Sequence, residues 1–423
     1  MGAAPIRLGL RANWRQFALL AFVNAFVGVI VGMERTVLPL LGSEVFGIAS
    51  RAAILSFLVS FGISKAVSNA AAGRLADLHG RKRVLLAGWI AGIPVPFLLI
   101  FAPPPHWWIV VLANVFLGVN QGLCWSMTVL SKIDLVGPTR RGLATGLNEF
   151  AGYVAVGGTA LLTGYLAAVY GVRPVPFIVG MVAVAFGFGL SVVGVRETKS
   201  YADLEGGAIT STGPSFRATF AQATFRSRSL LACSQGGLVN NLNDGIAWGL
   251  LPIFLVAPGR GLSADQIGLV AGLYPLSWGI LQVATGPMSD RIGRKPLLVV
   301  GMWVQAGAFV LYVAGHGLAS WSAASLLLGA GTAMVYPTFL SAVSDLARPD
   351  ARGATVGVYR FWRDLGLAIG AVVVGFFADA AGLGAAFLLT AALTFASGVV
   401  IAFAMAETRT PRGLRRTGGI PKR

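Results

Sequence analysis

Ten ionisable side chains lie within, or at the ends of, long apolar runs of this sequence. Five are acidic and five are basic: Glu34, Asp134, Glu149, Asp244 and Asp364, and Arg35, Lys65, Lys132, Arg360 and Arg363. A charge in the hydrocarbon of a bilayer costs at least about 2.5 kcal/mol by insertion scales, so such groups mark sites that bind a ligand, carry a proton or form pairs. Their matched numbers favour mutual pairing.

The densest group of polar residues within these runs is Asn240-Asn-Leu-Asn-Asp-Gly-Ile-Ala-Trp248. Asn240 and Asp244 are four residues apart and share a helix face, with Asn241 close by. Asp244 is the leading candidate for contact with a cationic substrate or for binding and releasing a proton. The alternative is a purely structural polar contact between helices.

A second group combines Arg360, Arg363 and Asp364 on one polar helix face. Guanidinium groups bind carboxylates through two parallel hydrogen bonds, so Arg360 or Arg363 could hold an anionic substrate. Alternatively, the arginines pair with Asp364 and Glu149. Glu149 and Arg360 occupy equivalent points of an internal repeat, and we predict that they form the floor or inner gate of a cavity. The alternative is separate ion pairs within each half of the chain.

Glu34 and Arg35 lie in the outer half of the first apolar run. Adjacent helical residues point about 100° apart, so the two do not form a pair. We expect them to shape an outer gate. Trp125 and Tyr336 could line a cavity, the alternative being ordinary packing against lipid or helices.

Long helices must position these residues. Of the 423 residues, 56% are hydrophobic and 12% are charged, and the mean hydropathy is +0.75. Soluble domains carry about 25% charged residues, so the composition excludes a soluble enzyme, a disordered scaffold and a disulfide framework. At about 20 residues per span, the chain accommodates twelve transmembrane helices. The predicted spans are 17–41, 52–73, 84–103, 107–131, 142–167, 174–196, 229–256, 265–287, 296–315, 320–345, 353–378 and 382–405.

Basic residues are concentrated in alternate connections between these spans. The formal net charge is +17. The opposite connections hold only Arg51, Arg173 and Arg260, so the positive-inside rule predicts that both termini are cytoplasmic. The polar stretch 197–228 is predicted to be a cytoplasmic linker between six-helix bundles 1–196 and 229–408, with a basic cytoplasmic tail at 409–423.

The sequence contains an internal repeat. Gly73-Arg-Leu-Ala-Asp-Leu-His-Gly-Arg-Lys-Arg83 recurs as Gly286-Pro-Met-Ser-Asp-Arg-Ile-Gly-Arg-Lys-Pro296, and Pro39 matches Pro252 at the same spacing. Further on, Trp125 aligns with Tyr336, Asp134 with Asp345, and Glu149 with Arg360. The two halves are therefore predicted to be parallel repeats about an axis along the membrane normal, as in transporters whose halves rock against each other.

Both copies of the repeated loop resemble the signature loop of the major facilitator superfamily, and they lie in the corresponding connections of the two halves. The resemblance implies an all-α membrane protein of two six-helix bundles around a central cavity, which opens alternately to either side. It also implies a charge network that latches the outward-facing state. The residues concerned are Gly73, Asp77, Gly80 and Arg81 in the first copy and Gly286, Asp290, Arg291, Gly293 and Arg294 in the second. Gly73 and Gly286 are expected to allow close helix approach, and Arg81 and Arg294 to make charge contacts across the bundle interface.

Two departures limit the resemblance. Proton-coupled drug exporters of this superfamily usually carry an Arg three residues before Gln-Gly in the fourth helix, where this chain has Gly118. The exporter-type Gly-Pro-x-x-Gly-Gly of the fifth helix is replaced by Asn148-Glu-Phe-Ala-Gly-Tyr-Val-Ala-Val-Gly-Gly158. The resemblance therefore extends to the superfamily and not to its multidrug-exporter subtype.

The predicted function is secondary active transport of a small molecule or ion, as proton-coupled efflux. The alternatives are an uptake symporter or facilitator for an organic anion, an exporter of a divalent metal, and a non-transporting receptor or sensor on the same fold. An enzyme is not expected, because no nucleophile and base come together and no phosphate-binding loop is present. Without a phosphate-binding loop, the energy must come from a gradient or from a partner.

The remaining predictions concern partners and location. No cofactor and no metal site are expected, since the three His residues fall in loops and Cys124 and Cys233 are predicted to be buried structural thiols. The expected partners are the substrate, protons and the lipid bilayer, without nucleic acid. The protein is predicted to be a monomer that crosses the plasma membrane, a bacterial inner membrane, many times.

Overall fold

The computed structural model describes residues 8–137, 141–206, 216–348 and 351–408, and every regular element within these ranges is helical. The first half contains α1 (Leu10–Val45), α2 (Arg51–His79), α3 (Arg81–Phe101), α4 (Trp107–Val136), α5 (Arg141–Tyr170) and α6 (Val175–Val193). Several helices begin or end beyond the predicted spans, because their polar ends fall outside the apolar runs from which the spans were predicted.

The second half contains six more long helical segments. They are α7 (228–256), α8 (Ala264–Ile292), α9 (Arg294–Ala314), α10 (Gly317–Leu346), α11 (Arg352–Ala381) and α12 (Leu383–Ala404). Segment α7 consists of Arg228–Gly245, a π-helical turn at Ile246–Leu250, and Leu251–Val256. Within the described ranges, the other eleven are long and apolar enough to cross a membrane. The predicted all-α membrane protein is confirmed, and α7 is the polar exception because three asparagines and an aspartate lie at its centre.

The sequence repeat is also a repeat of helix packing. In the first bundle α1 packs along α5 and α2 along α4, and in the second α7 packs along α11 and α8 along α10. Glycines allow the first of these contacts: a Cβ on Gly28 would lie 2.3 Å from the carbonyl oxygen of Gly152. Pro39 in α1 and Pro252 in α7 each lie close to a π-helical turn, because proline cannot donate to the helical hydrogen-bond ladder.

The two bundles meet where α2 crosses α11 and where α5 crosses α8. We call the side where α1 begins and α12 ends the terminal face, and the opposite side the distal face. Towards the distal face the crossings are tight. A Cβ on Gly164 would lie 2.6 Å from the Cα of Gly268, and one on Gly375 would lie 2.8 Å from the Cα of Ala52.

Towards the terminal face the same four helix faces lose contact. Each of these helices has a residue at the interface and a glycine on the same face, closer to the terminal side. The glycines Gly73, Gly146 and Gly357 lie eleven residues, about three helical turns, from the interface residues Gly62, Gly157 and Ala368, respectively. Gly286 lies about two turns from the interface residue Gly279. A Cβ on any of the four terminal-side glycines would meet nothing within 4 Å. The bundles are therefore packed together towards the distal face and splayed apart towards the terminal face.

The connection between the bundles is partly helical. Lys199–Gly206 and Phe216–Ala221 are short helices, the second continued by a π-helical turn at Gln222–Arg226. The middle of the predicted linker, 207–215, and the predicted basic tail, 409–423, lie outside the described residues, as do Arg7 and Arg140. Cys124 and Cys233 are buried free thiols, as predicted.

Candidate functional site

A polar cavity lies between the bundles, at the level where the interface begins to splay apart. Its wall is formed by Lys65, Asn69, Gln121, Trp125, Ser126, Glu149, Tyr153, Tyr336, Arg360, Arg363 and Asp364. Glu149 and Arg360 lie about one helical turn from the uncontacted positions Gly146 and Gly357, so the cavity faces the terminal side. The wall contains all the site residues predicted on α4, α5, α10 and α11, and none of those predicted on α1 and α7.

One polar link across the cavity centres on Asp364 of α11. Its carboxylate accepts a hydrogen bond from the amide of Asn69 on α2 at 2.8 Å and lies 3.7 Å from Nζ of Lys65. Arg363 pairs with the same carboxylate at 2.9 Å. Asp364 is 3% exposed, so its charge is balanced by two cations in a site with little water. Lys65 is one of the ten ionisable candidates in the sequence, whereas Asn69, four residues further along the same helix face, was not predicted.

A second link centres on Glu149 of α5. Trp125 Nε1 donates to its carboxylate at 2.8 Å, and the hydroxyl of Tyr336 on α10 donates across the interface at 3.3 Å. The guanidinium of Arg363 lies 4.3 Å from the centre of the Tyr336 ring. Within the described part of the chain no ion pair joins Glu149 to Arg360. Both residues lie on the cavity wall, at the level predicted for them, but they bind different groups.

Aromatic side chains close the distal end of the cavity. We call Trp125, Tyr153, Tyr274, Trp278 and Tyr336 the aromatic layer. The rings of Tyr153 on α5 and Trp278 on α8 have centroids 3.6 Å apart, and those of Trp278 and Tyr336 are 5.5 Å apart. The aromatic layer therefore joins the two bundles on the distal side of the polar cavity wall.

Asp244 of α7 lies behind this aromatic layer. Its carboxylate accepts a hydrogen bond from the hydroxyl of Tyr274 at 2.5 Å, and the side chain is 1% exposed. Arg35, Lys65 and Arg363 are close enough to interact with it electrostatically.

The other polar residues predicted on α7 are also buried. Asn240 and Asn241 are 1% and 2% exposed, and Oδ1 of Asn240 has no hydrogen-bond partner among the described residues. Asn243 instead donates to Gln305 of α9 at 2.7 Å and accepts from Thr394 of α12 at 2.8 Å. The polar stretch of α7 therefore bonds to its own bundle, while Asp244 faces the cations of the interface.

Arg35 bridges the bundles on the distal side. Its guanidinium lies 4.0 Å from the ring centre of Trp248 on α7 and 5.2 Å from that of Phe61 on α2. The neighbouring Glu34 is fully buried, and neither of its oxygens has a hydrogen-bond partner among the described residues. The two residues do not form an ion pair with each other, as their adjacency predicts.

A second distal contact was not predicted from the sequence. Asp379 near the end of α11 accepts hydrogen bonds from the Ser50 hydroxyl at 2.7 Å and from the backbone N–H groups of Arg51 and Ala52 at 2.7 and 3.1 Å. A carboxylate of one bundle thus caps the N-terminus of α2 in the other, where the helix dipole favours negative charge. No local pattern indicates this, because the partners are backbone groups that are remote in sequence.

The loop motif forms its contacts within each bundle. Arg81 pairs with Asp77 at 3.0 Å and with Asp134 of α4 at 3.1 Å. Gly80, before α3, has a φ of 88°, a conformation that favours glycine.

The second copy repeats this arrangement. Arg294 pairs with Asp290 at 2.8 Å and with Asp345 of α10 at 3.2 Å. Gly293 has a φ of 103° and Arg291 is exposed.

Two expectations about this motif are wrong for the conformation seen here. Arg81 and Arg294 make these ion pairs within their own bundles and not across the interface. Gly73 and Gly286 are not at close helix approaches, since a Cβ on either would meet nothing within 4 Å. The physical reason is the same in both cases: the terminal face is splayed apart, so the opposite bundle is out of reach.

A carboxylate at the end of the first bundle completes this loop. Glu197 accepts hydrogen bonds from the backbone N–H groups of Arg81 at 2.8 Å, Lys82 at 3.1 Å, and Thr198 and Lys199 at 2.9 Å. Partial burial acts to raise the pKa of Glu197, but these hydrogen bonds outweigh it and hold the pKa below its ordinary value.

The second bundle has the same cap, in which Glu407 accepts from the N–H groups of Arg294, Lys295 and Thr408. Both carboxylates were missed in the sequence. A signal was present, because Glu-Thr occurs at 197–198 and again at 407–408, near the ends of the two repeats.

Each half of the chain also matches the family model of the Major Facilitator Superfamily separately, over residues 17–241 and 233–421. The chain belongs to the major facilitator superfamily. The two matches correspond to the two bundles and together cover nearly the whole chain. Together with the apolar helices, this family makes the protein a multi-pass membrane protein of the superfamily.

Curated members of the superfamily match over part of the chain. The inner membrane transport protein YajR of Escherichia coli is 28% identical over 163 residues, which are 38% of this chain and 35% of that protein. The multidrug resistance protein MdtH of Klebsiella pneumoniae is 30% identical over 113 residues, 27% of this chain and 28% of that protein. The quinolone resistance protein NorA of Staphylococcus aureus is 22% identical over 138 residues, 33% and 35% of the two chains. The chain thus spans about a third of the length of these relatives.

Solved structures of transporters share the fold. A POT family transporter in complex with 5-aminolevulinic acid superimposes with a TM-score of 0.73 at 14% identity, covering 92% of this chain and 96% of that one. The nucleoside transporter NupG superimposes with a TM-score of 0.72 at 13% identity, covering 92% and 99%. At these identities the likeness concerns the fold alone.

The departure at Gly118 has a structural basis within this superfamily fold. A Cβ at this position would lie 2.6 Å from the carbonyl oxygen of Phe61 and would collide with the hydroxyl of Ser64. Helices α2 and α4 therefore pack too closely here to admit the arginine that drug exporters usually carry.

Proposed function

We propose that this protein exports a small organic molecule in exchange for protons, by alternating access. The observation that carries the proposal is the shape of the bundle interface. It is packed at backbone distance on the distal side and splayed apart on the terminal side, and a charged cavity lies where the two meet. Such a cavity can exchange its contents with one side of the membrane only.

The terminal face is the cytoplasmic face in this proposal, so both termini are cytoplasmic and the structure is an inward-facing state. The support is the concentration of basic residues in the connections on that side. The protein acts as a monomer in a bacterial inner membrane, since one chain supplies both bundles and the whole cavity wall. YajR, an inner membrane transport protein by name, supports this location.

Two sets of residues act as gates in this scheme. Arg35 against Trp248, with Glu34 beside it, forms the outer gate that is closed here. The loop motif around Asp77 and Arg81, and its repeat around Asp290 and Arg294, is the inner latch of the outward-facing state. In the present state Asp77 pairs with Arg81 of its own bundle, and its side chain is 73% exposed, so it could contact the other bundle when the terminal face closes.

Asp244 is the proposed coupling residue, because it is a buried carboxylate beside three cations of the interface. Protonation would neutralise it and weaken its attraction to Arg35 and Lys65 on the other bundle. The proton would thereby change the balance between the two states.

The test uses inside-out membrane vesicles that are acidified inside by respiration and contain a pH-sensitive dye. A quinolone is a suitable first probe, since a matching relative is named for quinolone resistance. We expect the quinolone to release protons from vesicles that contain the wild-type protein. Asp244→Asn should bind the probe but release no protons, whereas Asp265→Asn, which removes an exposed carboxylate at the start of α8, should behave as wild type.

Opposite outcomes would contradict the proposal in distinct ways. If Asp244→Asn couples normally, Asp244 is not the coupling residue. If a panel of organic probes releases no protons with the wild-type protein, while right-side-out vesicles accumulate an organic anion, the protein is an uptake system instead of an exporter.

A further inference from the structure

The cavity wall carries an excess of positive charge. Its cations are Lys65, Arg360 and Arg363, and its carboxylates are Glu149 and Asp364. Lys65 and Arg363 share the single carboxylate of Asp364. In the part of the chain that the structure describes, no carboxylate lies within ion-pair distance of Arg360.

Glu149 does not compensate for this excess. Its hydrogen bonds come from the indole of Trp125, the hydroxyl of Tyr336 and, at 3.4 Å, the amide of Asn148, which are all neutral donors. Among the described residues, Glu149 therefore forms no ion pair with the arginines of α11. Asp244, which interacts electrostatically with Arg363, lies behind the aromatic layer and is not part of the cavity wall.

Arg363 also has unused hydrogen-bonding capacity. The side chain is 5% exposed, and its Nε is buried with no partner among the described residues. A buried donor without a partner is unfavourable, and a ligand oxygen that accepts its hydrogen bond would remove that cost. Arg360 precedes Arg363 by three residues, so the two guanidinium groups leave α11 on the same face.

Flat aromatic surfaces lie beside these guanidinium groups. Trp125 and Tyr153 belong to the cavity wall, with ring centroids 5.3 Å apart. Pockets that combine a few charged groups with aromatic walls suit ligands that have a polar end and an apolar body.

We propose that the cavity binds an organic anion. Its carboxylate, or a comparable oxyanion, contacts Arg360 and Nε of Arg363, and its flat apolar body lies against Trp125 and Tyr153. Arginine suits this role because its planar fork of donors matches a carboxylate. The proposal rests on the proposed function, in that this cavity is taken as the transport site.

The experiment measures binding of three naphthalene probes of similar shape to the purified full-length protein by calorimetry. The probes are 2-naphthoate, the neutral 2-naphthamide and the cationic 2-naphthylmethylammonium. We expect 2-naphthoate to bind about tenfold more tightly than either of the others, the effect of one charge-assisted contact. Arg360→Gln should lose that preference, since among the described residues Arg360 forms no hydrogen bond or ion pair that competes with a ligand. Arg363→Lys should weaken 2-naphthoate binding while keeping the fold, which a melting curve checks.

The matched control is Arg226→Gln, which removes an exposed positive charge outside the cavity and should leave all three affinities unchanged. Equal or tighter binding of the ammonium probe, or an unchanged preference in Arg360→Gln, would overturn the proposal. So would competition by phosphatidylglycerol in nanodiscs, which would assign the arginine pair to a lipid headgroup. Binding in detergent needs no gradient, so a failure to detect proton-coupled export would not change the expected preference for 2-naphthoate. Conversely, a lack of this preference would not contradict the proposed export.

Discussion

Glu197 and Glu407 show how single side chains hold the loop motif in place. Each carboxylate receives the first backbone N–H groups of the helix that follows a loop, α3 or α9, and each is followed by a threonine that donates to the aspartate paired with the loop arginine. These carboxylates act as helix caps from remote positions in the sequence, where helix N-termini favour negative charge. They hold each loop within its own bundle.

Replacing Glu197 by glutamine should lower the stability of the first bundle by about 1 kcal/mol, a capping effect reduced by the partial exposure of the side chain. The amide nitrogen of glutamine would place one N–H donor against a backbone N–H donor, so that position would no longer accept a hydrogen bond. Because the pKa of Glu197 is lower in the folded state than its ordinary value of 4.5, its contribution is present above that pH and is lost as pH falls through the lowered value. Thermal unfolding at about pH 7 and about pH 3.5 should show a difference from wild type that shrinks in acid.

Glu44→Gln is the matched control for this prediction. Glu44 is an exposed carboxylate at the end of α1 that has no hydrogen bond among the described residues. Its replacement should leave the unfolding midpoint unchanged at neutral pH. Equal effects of the two substitutions, or a Glu197→Gln difference that grows in acid, would refute the capping role.

At the scale of elements, glycines decide where the bundles touch. Between α5 and α8 they allow backbones to meet: a Cβ on Gly157 would lie 2.8 Å from the carbonyl oxygen of Gly272, and the approach at Gly164 and Gly268 is equally close. Small residues at helix crossings are the usual means of close packing in membranes. The distal closure is therefore built from backbone contact as much as from side chains.

Gly164→Ala should disfavour the closed distal crossing, because the added methyl group would overlap with Gly268 at a cost of about 1–3 kcal/mol. A state in which α5 and α8 separate distally would escape that cost, so the population should shift towards it. Spin labels at Tyr170→Cys and Pro258→Cys, on the distal ends of the two bundles, report this separation, and the buried native cysteines should remain unlabelled.

Gly158→Ala lies on the same helix and is the matched control. A Cβ at Gly158 would meet nothing within 4 Å, so this variant should give the wild-type distance distribution. An equal shift in both variants would point to a change in α5 itself and not to the crossing.

At the scale of the whole molecule, distal closure competes with terminal closure. The cross-bundle contacts on the distal side include the α5–α8 crossing, Arg35 against Trp248, and Asp379 on the N-terminus of α2. At the terminal face the charged residues of the loop motif form ion pairs within each bundle, so they do not hold the two bundles together there. The observed state is the one in which distal contacts are made and terminal ones are not.

Asp379→Asn should weaken the distal side alone. The asparagine amide keeps one acceptor oxygen but loses the negative charge and the second oxygen at the N-terminus of α2. We expect a cost of about 1 kcal/mol, which corresponds to a roughly fivefold change in the ratio of the distally closed to the distally separated state. The same pair of spin labels should report more of the distally separated state. An unchanged distribution, with folding intact, would show that the Asp379 contact does not hold the two bundles together.

The sequence was informative wherever a pattern is local. Apolar runs predicted the helices, and the repeat predicted that Asp134 and Asp345 are equivalent, which their pairing with Arg81 and Arg294 confirms. It also predicted six of the nine wall residues on α4, α5, α10 and α11. Asn69 of α2 and the contacts of Asp379 were missed, because they depend on how the bundles are tilted. The same tilt made the cross-interface expectation for Arg81 wrong, since a sequence does not indicate which of two states is populated.

The polarity of α7 has a consequence for how the protein is made. Asparagine and aspartate at a helix centre oppose insertion from the ribosome, and an aspartate there costs about 2.5–3.5 kcal/mol. The groups that satisfy them, Tyr274, Gln305 and Thr394, belong to α8, α9 and α12, which are synthesised afterwards. Nascent α7 must therefore wait at the translocation channel, or be held by an insertase, until the rest of its bundle emerges. A ribosome stalled just after α7 should expose a segment that the membrane does not retain by itself.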